Sequence, residues 1–264
     1  MSPIILCDAH VHVYPGADVS GLLDAAAQNF KQAAARLGAR EWRGVLMLTE
    51  VAGVDWFGSV AGAAGGCEVG AWRVTRSPAE PISLQANASG ASMTIVAGRQ
   101  IVTAERLEVH ALGTCAHIAD GADIHVTLDA VRQTGALVVL PWGVGKWLGA
   151  RGRLVEAVFR SQAALNVYAA DNGGRPAFWP ERRFELLHDR PLLRGSDPLP
   201  LPGEEYRVGG FGSWFAGSLS ADTPAASLRA LVAKLPAGEL HAYGSAETAS
   251  RFFRNQLLLR WRRF

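Results

Sequence analysis

Cysteine is scarce in this chain. There are only three in 264 residues: Cys7, Cys67 and Cys115 stand far apart, with no C-x-x-C among them. That spacing excludes a disulfide scaffold or a cysteine-rich zinc knuckle and predicts a reducing compartment. Charge imbalance is also missing. Lys plus Arg number 26 and Asp plus Glu 24, a net charge of +2, so bulk charge offers no case for a nucleic-acid partner. No apolar run approaches the ~20 residues of a membrane span. The first residues carry no basic and apolar leader pattern, and the chain is read as cytoplasmic. Charged residues make up 19% against 49% hydrophobic, which excludes a disordered polar chain.

What is present begins at Ile4-Ile5-Leu6-Cys7-Asp8-Ala9-His10-Val11-His12-Val13-Tyr14-Pro15. An apolar stretch of strand type runs into two histidines, and Pro15-Gly16 breaks it. Side chains two apart on a strand share a face, so His10 and His12 are predicted to point the same way. The same alternation places Asp8 on that face, where it could orient a neighbour. Paired imidazoles at the carboxyl end of a strand suit a divalent transition metal.

Further along, a helix is expected from Ser20 to Leu37 and a buried strand over Gly44–Glu50, with Glu50 on the site rim. Residues 52–66 read as a loop or short helix. Short strands follow over 68–75, 82–86 and 93–96, then a strand pair over 95–103 and 107–113 that places Arg99, Gln100 and His110 near strand ends. Helix and strand then alternate: helix 128–135, strand 136–142, helix 153–163, strand 165–170, a short helix 182–188, and strand 191–197 ending at Asp197. Two more helices close the chain, at 225–233 and about 246–262. With no internal repeat and no long linker, residues 1–264 are expected to form one α/β domain of barrel type.

Two loops set a cation beside glycines, Gly143-Val144-Gly145-Lys146 and Asn172-Gly173-Gly174-Arg175. Glycine lets backbone N–H groups approach an oxyanion, and Lys146, Arg175 and Arg99 would neutralise it. A small anionic substrate is the expected partner. Neither loop is a P-loop, and no G-x-S-x-G elbow surrounds Ser196. The arginine-rich C-terminal helix is read as packing its apolar side inward, rather than lying on a membrane surface.

With H-x-H on the first strand and Gly195-Ser196-Asp197 late in the chain, the sequence resembles the PHP (polymerase and histidinol phosphatase) family. The resemblance spans most of residues 4–200. It implies a distorted (β/α)7 PHP-like barrel, bound divalent metal and phosphoester hydrolysis. His10 and His12 match the family's first motif. Ala97-Gly98-Arg99-Gln100-Ile101-Val102-Thr103 resembles a glycine-x-glutamate-isoleucine-x-threonine segment, with Gln100 in place of the bridging glutamate. Leu140-Pro141-Trp142 stands where histidine-proline is usual, and Gly195-Ser196-Asp197-Pro198 keeps the aspartate and loses a histidine. The implied ligands are His10, His12, Glu50, His110 and Asp197, with Glu50 and Asp197 also assigned to catalysis. That set suffices for one ion of zinc, manganese or iron, whose bound water would be the nucleophile. The losses are equally consistent with an empty pocket turned to binding a ligand or protein. The wider amidohydrolase superfamily also opens with H-x-H and supplies a further alternative, C–N hydrolysis with Lys146 as its lysine.

Overall fold

A computed structural model describes residues 3–161 and 166–261. Residues 1–2, the expected helix end at 162–163, the expected strand start at Leu165 and the tail 262–264 lie outside the described residues.

The first strand, β1 (Ile4–Val11), is buried along its whole length. Burying an aliphatic side chain of this size stabilises by roughly 1.5–3 kcal/mol, so this strand anchors the core. Helix α1 (Val19–Arg36) follows, capped by the Asp18 carboxylate on the Gly21 N–H, two residues before the expected Ser20. Its apolar stripe of Leu22, Leu23, Ala26, Phe30 and Ala33 recurs at three- and four-residue spacing and packs on the sheet. Strand β2 (Trp42–Leu48) pairs parallel with β1. A short helix, α2 (Trp56–Ala61), then precedes an antiparallel meander of β3 (Cys67–Val69), β4 (Trp72–Arg76), β5 (Ser83–Ala88) and β6 (Ala91–Val96). Strand β6 returns to pair parallel with β2.

After Ala97 the same stretch continues as β7 (Gly98–Val102), which joins a second sheet with β8 (Glu108–Leu112), β9 (Leu137–Pro141), β10 (Val167–Asn172) and β11 (Leu193–Gly195). Helices α3 (Ile124–Gln133) and α4 (Gly149–Arg160) lie between these strands in sequence. The chain then adds β12 (Gly212–Ala216), α5 (Pro224–Lys234), β13 (His241–Tyr243) and α6 (Ala249–Trp261). The first sheet runs β13-β12-β1-β2-β6-β5-β4-β3 and the second β11-β10-β9-β8-β7.

The fold is therefore not the expected closed (β/α)7 barrel. It is a mixed α/β architecture of two mixed sheets with eight and five strands. The reason lies at β1. Its far edge, from Ile4 to Cys7, is already paired antiparallel with β12, so no strand of the second sheet can close there. Strand β11 reaches β1 only at its carboxyl end, where the Asp197 N–H donates to the His10 carbonyl at 2.9 Å. At the other junction Glu50 N–H donates to the Gly98 carbonyl at 3.1 Å, and Gln100 N–H to the Glu50 carbonyl at 2.9 Å. Both junctions lie at the level of His10 and Glu50, so the sheets converge where the candidate site sits.

Three apolar clusters fill this frame. One, with Leu6, Leu23, Phe30, Leu46 and Ile95, lies between the first sheet and α1. A second, with Val109, Leu128, Val138 and Val155, lies between the second sheet and α3 and α4. The third holds Ile5, Cys7, Val45, Met47, Val139, Ala170 and Phe215, drawn from both sheets. No helix among the described residues is long and apolar enough to cross a membrane.

Candidate metal centre

The centre begins with an irregularity in β1. Ile4 and Leu6 pack with α1, and Ile5, Cys7 and Ala9 pack between the sheets. Beyond the irregularity it is Val11 and Val13 that join the α1 cluster. The β1–β2 register shifts between Asp8 and Val11, and such a bulge re-aims side chains. Asp8 is thereby separated from the face of His10 and His12, contrary to simple alternation. Its carboxylate is buried and accepts from Ser196 N–H and Gly209 N–H, each at 2.8 Å, and from His10 N–H at 3.3 Å. Burial raises its pKa to about 6 against those hydrogen bonds. Asp8 ties β1 to two later segments and does not face the metal donors.

His10, His12 and Asp197 come together. Their ligand atoms all lie within 4.8 Å of one another. His10 Nε2 and His12 Nε2 are 3.0 Å apart. Asp197 Oδ1 lies 3.4 Å from the first and 3.5 Å from the second. Donors about 2.0–2.2 Å from one tetrahedral zinc ion stand about 3.3 Å apart. The three observed separations bracket that value, so the donor set fits one divalent ion. The far ring nitrogen of His10, Nδ1, is buried without a partner among the described residues, as is Nδ1 of His110.

Electrostatics keep His10 and Asp197 in ligand form. Burial pushes His10 down to about 4; Asp197 opposes this and His12 adds to it. A neutral imidazole is what a metal requires. Burial alone would raise Asp197, but His10, His12 and Arg207 outweigh it and hold the carboxylate at about 2. Asn172 Nδ2 donates to Asp197 Oδ2 and to the Trp142 carbonyl, both at 2.8 Å. This holds one carboxylate oxygen and leaves Oδ1 turned to the imidazoles. Asp197 adopts φ 48, a left-handed conformation uncommon outside glycine and better tolerated by Asp and Asn.

The other sequence-derived candidates are placed differently. The His110 ring packs edge-on to His10 at 4.3 Å between centroids, and its Nε2 meets Gln100 Oε1 at 3.0 Å. Burial drives its pKa well down, helped by His10 and His12. Glu50 accepts from Phe57 N–H at 2.9 Å and faces Arg99 at 3.4 Å. Burial raises it, against that N–H and Arg99. Neither His110 nor Glu50 belongs to the converging group of three. Arg99 also pairs with Asp55 at 3.0 Å. Arg175 forms a two-pronged pair with Asp171 at 2.6 Å for each prong. Lys146 does line the site cavity, paired with Glu108 at 2.9 Å.

That cavity holds about 330 Å³ and also meets Tyr14, Gln100, Asn172, Arg207 and Glu247. Asn172 was readable as a strand-exit residue, in the same way as Asp197. Arg207 and Glu247 had no local signal, because only the tertiary fold brings 3₁₀ and loop segments to the cavity.

One solved structure, PsfC from Pseudomonas syringae PB-5123, superposes on this fold with a TM-score of 0.54 at 17% identity, covering 100% of both chains. That likeness concerns the fold alone. No family model matches the chain, and no curated protein matches it.

Proposed function

We propose that this protein is a hydrolase that uses one divalent metal ion and acts on a small anionic ester, foremost a phosphoester. The observation that carries the reading is the convergence of His10, His12 and Asp197 at separations suited to a single ion. The PHP resemblance of the same three positions supports it. A bound ion would supply a water acidified to pKa ~7 and would polarise a phosphoryl oxygen.

The chain's own groups do the rest. His10 offers a neutral imidazole nitrogen, His12 a second ring nitrogen, and Asp197 supplies the negative charge. Asn172 fixes the Asp197 carboxylate from behind. Lys146 and Arg207 stand on the cavity wall, each balanced by an acid: Glu108 for Lys146, Glu204 and Glu247 for Arg207. An entering anion competes with those acids for the two cations. Tyr14, kept protonated by burial and by Asp197, Glu108 and Glu204 around it, offers a donor O–H on the same wall. The three free cysteines suit a reducing compartment.

A second reading, a binding pocket without hydrolysis, draws on Gln100, whose neutral amide meets His110 where a bridging carboxylate would serve a second ion. Metal analysis separates the two. The purified protein, reconstituted with zinc, manganese or iron, is expected to hold close to one equivalent. The paired change His10→Ala and His12→Ala should abolish that binding together with hydrolysis of p-nitrophenyl phosphate. Wild-type content below a tenth of an equivalent after reconstitution would overturn the enzyme reading.

A further inference from the structure

A second cavity, of about 430 Å³, adjoins the site and shares His12, Tyr14, Leu199 and Pro200 with it. Its character differs. Leu22, Pro198, Leu201 and Pro202 add apolar wall from the segment after Asp197 and the first turn of α1, beside the turn at residues 15–17. The charged residues on its lining are Asp18 and Glu205, with no Lys or Arg among the described ones. The Asp18 carboxylate is engaged as the α1 cap, accepting from Gly21 N–H at 2.9 Å.

From this pairing we infer that the substrate is bipartite: an anionic head placed at His10, His12 and Asp197, and an uncharged apolar or aromatic group seated between Tyr14 and the proline-rich wall. The inference rests on the hydrolase reading for the head and on the second cavity for the tail. Rigid prolines and a phenol ring offer a preformed flat surface, which costs little ordering when a ring binds. The carboxylates of Asp18 and Glu205 disfavour a second phosphate or carboxylate at that end, since like charges in a partly dry pocket repel. The compounds turned over are thus aryl or branched-alkyl monoesters, not bisphosphates.

Non-hydrolysable phosphonates test this on zinc-reconstituted protein by calorimetry. Phenylphosphonate is expected to bind about tenfold more tightly than methylphosphonate, the gain from burying one ring. Ala17→Trp, at a half-exposed lining position of the second cavity alone, should erase that difference and leave methylphosphonate unchanged. If Ala17→Trp lowers the melting temperature, Pro202→Trp on the same lining replaces it. A phosphonate bearing a terminal carboxylate on a four-carbon chain should gain nothing over methylphosphonate. Equal binding of the phenyl and methyl compounds, or a phenyl advantage that survives both tryptophans, would overturn the inference. If neither phosphonate binds, the metal-and-anion reading fails by itself. Benzyl alcohol then decides the apolar subsite by NMR line broadening: broadening lost in Ala17→Trp supports it, and no broadening on the wild type sinks it.

Discussion

Asp197 combines three demands in one residue. It supplies the only carboxylate in the converging donor group, it is held by Asn172, and it sits at φ 48. Asn tolerates that backbone almost as well as Asp. Asp197→Asn should therefore keep the melting temperature within a few degrees and still weaken zinc binding at least tenfold, read by competition with a chromophoric chelator. A fall in stability comparable to a core substitution would mean that the carboxylate serves folding first. Gln100 leads to a second expectation. It lines the cavity and holds His110 Nε2; Gln100→Glu places an anion against His110, in the cavity that His10 and His12 also line. Metal stoichiometry should rise from one toward two ions per chain, and an unchanged value would mean that this position does not bridge. His10, His12 and Asp197 were legible in the sequence because each follows an apolar strand and precedes a proline-containing break. The pairing of Arg99 and Arg175 with Asp55 and Asp171 was not legible, since it depends on which side chains the fold brings within 3 Å. Asp8 was misread for a different reason: one bulge reverses the parity of a strand.

At the scale of elements, α6 is fixed to the site by buried charge. Glu204 accepts from Arg207 at 2.9 Å, from Arg251 at 3.0 Å and from Asn255 at 3.1 Å. Burial alone would raise the Glu204 carboxyl; the two arginines reverse this and lower it. A lowered folded pKa stabilises the protein above the unfolded value near 4.3 and loses that contribution as pH falls through the folded value. Glu204→Gln should cost about 3 kcal/mol at pH 7 in urea unfolding, and the gap to wild type should narrow below pH ~4. A gap independent of pH would assign the loss to packing. The helix itself was readable from sequence, but its inward side was not: Phe252 and the polar Asn255 are buried, Phe253, Leu257, Leu258 and Trp261 are exposed, and Arg251 turns in to Glu204. Its anchor was not, because Glu204 and Arg207 lie on a short 3₁₀ turn with no periodic pattern of its own.

For the whole molecule, the strand-and-helix order of residues 124–195 was legible, and the antiparallel additions were not. Strand β13 is three residues long, with His241 and Ala242 exposed, too short to carry a period, and β12 lies in a glycine and aromatic stretch. Strand β12 occupies the edge of β1, β13 adds to its outer side, and the sheets stay open. The sheets then depend on close backbone approach at two glycines. A Cβ on Gly98 would collide with the Leu48 carbonyl, and one on Gly195 with the backbone of His10. Gly195→Ala should lower zinc affinity and stability together, since the collision falls on a donor residue; Gly98→Ala should lower stability first. Melting curves with and without zinc distinguish them, and equal zinc-induced stabilisation in both variants would refute the distinction.

The Asp8 carboxylate has one more consequence, in time rather than in space. It joins the first strand to Ser196 and Gly209, 188 and 201 residues downstream. Contacts that distant close large loops before they return any stabilisation, which slows folding. As the chain leaves the ribosome, its first strand must wait for nearly four-fifths of the sequence before its buried acid finds its donors. His10 and His12 emerge early, while Asp197 arrives late. A nascent chain thus carries two of the three candidate donors and gains the third only once the strand before Asp197 has been made.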